Sequence, residues 1–407
     1  MRIWFVFLVF SVQLGAFAQG GYLTLAGKVM DKSTQKPVAH AYLGMMSKGT
    51  GTLTNEDGQF YYRYPRIAAD SVIVVAVMGY KTFYQKASAF ATGKEAEIML
   101  DPAMPLKLDS GFIKRFEARN LVSDALGKIK KNNPQAPYLL NGFYRETLQQ
   151  NGEYVEIREA TVQTEKDPRP KIEIPEKVKA LRGRTFVSEN RSKTMEGYAF
   201  PNGATIVTHS IDVGIPEYLD GKNLYDYLYE VDDTVTYYLD KQVYQVRFRP
   251  VSASVKAARN GTICISAADS AIVRIEYDFT AEGVKDILST SAKDKFFGKT
   301  KRAPKRLYTC INYKPFMGKY HLQDYRLLLD TQFEQNKTQL LGTIQLQFVA
   351  TEIQKSNGNR IPPTDVLVDT ENFSTQTVPK YDEVIWGNFN FVIPSNAMRQ
   401  IVNSLVK

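Results

Sequence analysis

From Leu23 onward, apolar and polar residues alternate in short runs cut by Gly, Pro, Asn and Asp, the period-two signature of half-buried strands. Seven such runs fall within residues 21–101, near 22–30, 38–46, 50–54, 58–64, 71–78, 80–86 and 95–100. The first places Leu23, Leu25, Gly27 and Val29 on one face, and the second Ala39, Ala41, Leu43 and Met45. Phe60, Tyr62 and Tyr64 share a face of the fourth. Between them, Asn55-Glu56-Asp57-Gly58 is a tight turn in which Gly58 takes positive φ at no steric cost and Asp57 bonds the local backbone. Met78-Gly79-Tyr80 breaks an apolar run, as a bulge or tight corner does.

The pattern changes after Asp101. Pro102, Pro105 and Leu106 to Ser110 read as a linker, residues 102–111. Phe112 to Lys131 then carries an apolar stripe of Phe116, Leu121, Ala125, Leu126 and Ile129, which predicts a helix stopped by Asn132-Asn133-Pro134. From Tyr138 the strands return and lengthen. Tyr138–Gln149 and Glu153–Thr164 flank Asn151-Gly152, a strong hairpin signal. Gly261–Ser266 and Ile272–Phe279 flank a second turn, Ala267 to Ser270, and Leu307–Tyr313 and Tyr320–Leu329 a third, near Pro315 to Gly318. Thr343–Ile353 adds a strand, Pro362-Pro363 and 369–380 read as a late loop, and Ser395–Leu405 as a short amphipathic helix. The expected fold class is mainly β: a seven-stranded sandwich over 21–101, then a larger α+β domain over 112–407. In that second domain an N-terminal helix precedes long antiparallel hairpins that form a curved sheet or half-barrel.

The first eighteen residues stand apart. Arg2 precedes an apolar run from Ile3 to Leu14, and Ala16-Phe17-Ala18 forms a small-x-small site. The run is shorter than the roughly 20 residues that span a bilayer. The expectation is a cleaved export signal ending at Ala18, with Gln19 first in the mature chain and no cysteine there to carry a lipid. That places the protein in the periplasm or at the surface of a Gram-negative bacterium, with no transmembrane segment after removal of the signal.

Composition adds limits. The net charge of +9 would suggest nucleic acid if clustered, but its densest runs, 128–131 and 299–306, read as solvated faces or loops, and export argues against a nucleic-acid partner. Aromatic residues reach 12 %, which suits extensive sheet. Seven tyrosines lie between Glu217 and Tyr244; Tyr225, Tyr227, Tyr229, Tyr237 and Tyr238 form a candidate aromatic surface for a sugar or an apolar ligand, against the alternative of ordinary half-buried packing. The two cysteines, Cys264 and Cys310, fall in separate strands, each on the face opposite the aliphatic residues. Export permits a disulfide, and the sequence leaves a cross-strand bridge and two unpaired thiols both open.

The ordered set Gly27-x-Val29, Pro37-x-Ala39, Gly51-Thr52, Thr54-Asn55-x-Asp57-Gly58-x-Phe60, Asp70-Ser71 and Met78-Gly79-Tyr80 resembles the carboxypeptidase-like regulatory domain. The resemblance implies a transthyretin-like sandwich, common at the N-termini of exported proteins of Bacteroidota-type bacteria, which folds or docks and does not catalyse. Calcium ligation by Asn55 and Asp57 would need several more oxygens at alternate positions.

Tests for an enzyme find no signature. A zinc peptidase needs paired His and Glu ligands and a carboxylate base, whereas His40 lies in the sandwich and neither His209 nor His321 is followed by Glu at the required offset. No nucleophile elbow, phosphate-binding loop or paired Cys-x-x-Cys is present. Asp232 and Asp233 are adjacent, so strand geometry points them apart. No catalytic residue, metal ligand or cofactor site is therefore assigned. The sequence favours a non-enzymatic envelope protein that binds a protein or glycan through the sandwich. The alternatives are a carrier of an apolar, lipid-like ligand in the half-barrel and, more remotely, a hydrolase. A dry concave cavity would mark the carrier, and His209 meeting His321 in a cleft the hydrolase.

Overall fold

A computed structural model describes residues 21–404 apart from 91–92, 110–116, 169–175, 196–197, 201–202, 212–214, 290–300, 336–337, 357, 359 and 368–382. The expected signal, with Ala18 and Gln19, lies outside the described residues.

The chain is mainly β, as expected. All seven N-terminal strands are present: β1 (Tyr22–Asp31), β2 (Tyr42–Met45), β3 (Thr50–Leu53), β4 (Gln59–Pro65), β5 (Val72–Ala76), β6 (Phe83–Lys86) and β7 (Ala96–Leu100). They form two layers, β4-β1-β7 and β6-β5-β2-β3. Leu25, Val29, Leu43, Met45, Phe60, Tyr62, Ile73, Val75 and Ile98 interdigitate between the layers as one core. The second strand begins later than the sequence pattern suggests, because His40 adopts φ of +57° and turns the chain ahead of Tyr42. Asn55 holds the expected turn through its Oδ1, which accepts from the Asp57 and Gln59 amides.

Inside the expected linker, β8 (Leu106–Lys107) pairs with Val235 and Thr234. The expected helix over 112–131 is shorter and broken into α1 (Ala118–Gly127) and α2 (Ile129–Asn132). The break falls at Lys128, whose ψ of 1° departs from helical geometry after Gly127. Residues 112–116 lie outside the described residues. Val122, Ala125 and Ile129 are the buried stripe.

Ten further strands follow: β9 (Tyr138–Gln150), β10 (Glu153–Lys166), β11 (Lys177–Val187), β12 (Tyr227–Tyr238), β13 (Lys241–Pro250), β14 (Arg259–Ser266), β15 (Ile272–Phe279), β16 (Lys301–Phe316), β17 (Lys319–Gln335) and β18 (Thr338–Lys355). With β8 they make one antiparallel sheet in the order β11-β10-β9-β18-β17-β16-β15-β14-β13-β12-β8. The β9–β10 hairpin turns where the dipeptide indicated, with Asn151 at φ 51° and Gly152 at φ 87°, a primed-turn pair. Strand β3 joins the large sheet at a single position, Thr50 opposite Glu352.

The two faces of this sheet differ. Ladder partners put Val246, Ile263, Ile275, Ile311, Tyr325, Phe348 and Tyr144 on one face. Against that face pack α1, α2, α3 (Gly203–Thr208) and α4 (Ala281–Ser289). Gly203 is required there, since a Cβ would fall 2.4 Å from the Tyr144 hydroxyl. The opposite face carries polar residues, and the sandwich lies over part of it. The chain ends the described region with α5 (Asn396–Ser404), the amphipathic helix expected from the sequence. No described helix is long and apolar enough to cross a membrane.

Candidate functional site

Alternation along seven neighbouring strands aligns one row on the outer face of the sheet: Glu276, Cys310, Arg326, Gln347, Arg145, Glu159 and Arg184. Such a row would be solvated on an isolated sheet. Here its second half is buried beneath a seam of eight apolar residues. Tyr42 and Leu53 come from the sandwich, Phe143 and Val349 from the sheet, and Trp386, Phe391, Val392 and Ile393 from the C-terminal segment. Trp386 meets Phe143 edge-on at 5.4 Å between centroids.

Polar contacts follow the same segment. Asn390 accepts from the Arg63 amide at 2.7 Å and donates to the Arg63 carbonyl at 3.0 Å, so it acts as a strand neighbour along the β4 edge. Thr52 donates to the Phe391 carbonyl and Asn55 to the Pro394 carbonyl. Asp57 accepts from the Asn396 amide at 2.7 Å, at the start of α5. Asn55 and Asp57 thus hold the C-terminal segment, which accounts for their place in the turn without a cation.

Beneath the seam, Glu159 is bracketed by two guanidinium groups. Arg145 Nε donates to Glu159 Oε1 and Arg184 Nε to Oε2, each at 2.7 Å. All three side chains are at most 2 % exposed. Burial alone would raise the Glu159 pKa, and Arg184 and Arg145 outweigh it, holding the carboxyl below its ordinary range. The second Arg145 nitrogen donates to the Val392 carbonyl at 2.6 Å, and Arg184 lies 4.8 Å above the Trp386 ring. Removing one partner from such a buried triad is costly, because a charge remains without compensation.

Lys314 is another buried ion at the junction. Its Nζ lies 4.6 Å from the Tyr42 ring centre and donates to the Ala350 carbonyl at 3.3 Å. Burial draws its pKa down to about 7 against the opposing pull of Asp324. His40 approaches the same face from the sandwich. Burial, then Arg326 and Arg274, lower its pKa to about 3, so it stays neutral.

The cysteines share the outer face, as their parity indicated, but they are not bridged; both are free and buried. Cys264 pairs with Arg274 and Cys310 with Glu276, so β15 lies between them. Two strand spacings are about 9.5 Å, beyond the ~7 Å Cα separation a disulfide tolerates. Burial pushes the Cys264 thiol up to about 12, which suits a packing residue and not a nucleophile.

The five tyrosines do not assemble into one exposed platform. Tyr227 and Tyr238 are buried on opposite faces of the sheet, Tyr229 and Tyr237 are half-buried, and Tyr225 is 66 % exposed with Arg119 over its ring. Strand alternation and the turn at Leu239 and Asp240 send neighbouring rings different ways. His209 is exposed with Nδ1 3.8 Å from Glu176, whereas His321 is buried edge-on against Tyr138. Among the described residues no three His, Cys, Asp or Glu side chains converge to hold a metal ion.

Residues 25–108 match the CarboxypepD_reg-like domain, which covers the sandwich and β8. This domain is non-catalytic. A comparison with curated proteins returns no match. Among solved structures, a DUF1329 family protein from Desulfovibrio piger is similar at 7 % identity and a TM-score of 0.26, over 60 % of this chain and 96 % of its own. A putative membrane-associated protein of unknown function from Bacteroides fragilis is similar at 10 % identity and a TM-score of 0.16, over 82 % and 99 %.

Proposed function

We propose that this chain is an exported, non-enzymatic binding protein of the cell envelope whose sandwich recruits a protein partner. The observation that carries the reading is the use of the sandwich's strand edges. Strand β3 meets β18, and β4 is lined by Asn390. Strand β7 pairs only with β1, leaving its other edge without a strand neighbour among the described residues. A free edge offers main-chain donors and acceptors to an incoming extended segment. Glu97 and Met99 are the side chains that the β7 ladder turns away from the sandwich core.

The helix-side face of the large sheet supports binding at the sandwich over carriage of an acyl chain. Tyr144, Tyr313 and Phe333 are fully buried within it. Export rests on the leader-like composition of residues 1–18.

The test is affinity purification from cell envelopes of the parent and of a Glu97→Lys/Met99→Lys variant, since lysines blunt a strand edge. The reading requires a stoichiometric protein partner that the variant loses while its thermal unfolding is unchanged. A partner retained by the variant would contradict the β7 assignment, and no partner at all would contradict the binding role.

A further inference from the structure

Beside the seam, between the start of β9, the end of β18 and the loop after it, the outer face opens into a cleft of about 320 Å³. That is within the size range of small-molecule sites. Two cations line it, and each has a carboxylate partner. Lys179 Nζ lies 2.6 Å from Asp365, and Arg360 Nη1 lies 3.7 Å from Glu165. Charge is therefore balanced, which removes the drive to capture a phosphate, an acidic ligand or a cation. The lining contains no aromatic ring on which a flat heterocycle could stack.

What remains is a pair of half-buried amides, Gln163 and Gln354, beside the exposed ring of Pro362, with Leu139 and Ile361 buried behind them. Gln163 is held in place from below. Its Nε2 donates to Asn141 Oδ1 at 3.0 Å, and Asn141 Nδ2 donates to Glu352 Oε2 at 2.9 Å. The Ile361 amide donates to Glu165 Oε2 at 3.0 Å and pins the loop that carries Pro362 against the sheet. A primary amide presents a donor and an acceptor side by side, which matches adjacent hydroxyl groups that both give and accept. The Pro362 ring alongside accommodates the C–H face of a sugar ring.

We infer that this cleft is a binding site for a neutral saccharide, with Gln163 and Gln354 bonding ring hydroxyls and Pro362 against a C–H face. The site is separate from the β7 edge, so the two can fail independently.

The test uses the full mature chain in saturation-transfer NMR and calorimetry. The probes are maltose, cellobiose, lactose and diacetylchitobiose, with galacturonate and inorganic phosphate as charged competitors. The expected result is binding of at least one neutral disaccharide with Kd near ~1 mM or tighter. Gln163→Ala and Gln354→Ala should each weaken it about tenfold, one lost hydrogen bond apiece, with the Gln354→Ala unfolding midpoint unchanged and that of Gln163→Ala lowered by the lost bond to Asn141. The Glu97→Lys/Met99→Lys variant should bind the sugar as the parent does. Failure of all four disaccharides, preference for galacturonate or phosphate, or full binding by both glutamine variants would each overturn the assignment.

Discussion

Replacing Lys314 by Met should stabilise the protein, and the gain should depend on pH in a defined direction. The folded pKa is about 7, against 10.5 for an ordinary lysine. Between those values the unfolded chain binds more protons than the folded one, so the parent's stability rises with pH from about 7 to about 10.5. Below about 7 the cost of burying the site is fully present and constant. At 1.36 kcal/mol per unit, the gap corresponds to about 5 kcal/mol at most. Met has a similar length and no charge, but it forfeits the bond to the Ala350 carbonyl and the contact with the Tyr42 ring. With those losses deducted, a gain of about 2–4 kcal/mol at neutral pH remains. Urea unfolding of parent and variant from about pH 6.5 to about pH 9.5 measures it, because shared titrations cancel in the difference. The advantage of Lys314→Met should be largest at the acidic end and shrink as pH rises. A variant less stable than the parent at neutral pH, or a difference that does not change with pH, would refute the reasoning.

Three other outcomes follow from the buried outer face of the sheet. Glu159→Gln strands two buried guanidinium groups and should cost about 3–5 kcal/mol, read from the urea midpoint. Because the folded Glu159 pKa lies below its ordinary 4.5, its contribution is complete above about that value. It is lost as pH falls through the folded value, so the parent should lose stability on acidification more steeply than the variant. Trp386→Ala should cost about 3–5 kcal/mol and make the C-terminal segment around Phe391 more sensitive to limited proteolysis, because Trp386 packs that segment onto Phe143 of the sheet. Mass spectrometry after alkylation in denaturant without reductant should find two modified cysteines, Cys264 and Cys310, whereas a bridged pair would take up none.

Much of the architecture was legible because it is local. Alternation placed the sandwich strands, and Asn151-Gly152 placed the first long hairpin. The seam was not, because Gln347 alternates with Leu346 and Phe348 as a solvated face does, and Arg145, Glu159 and Arg184 lie next to Glu146, Arg158 and Thr185 in stretches that read as solvated. What buries them is Trp386 and the run Phe391-Val392-Ile393, more than two hundred residues beyond Arg145 in sequence. That late apolar run after one of only two tryptophans was the available signal. The parity of Cys264 and Cys310 was readable, but a bridge also depends on which strands adjoin. The consecutive hairpins insert β15 between them. The helix over 112–131 was overextended because its stripe spans the break at Lys128.

Native mass spectrometry of the mature protein, released gently from the cell envelope, tests the central claim most directly. The account predicts a complex with a protein subunit of defined stoichiometry and no retained lipid. Added mass of lipid size, lost on denaturation and unaccompanied by protein, would contradict it and establish a carrier.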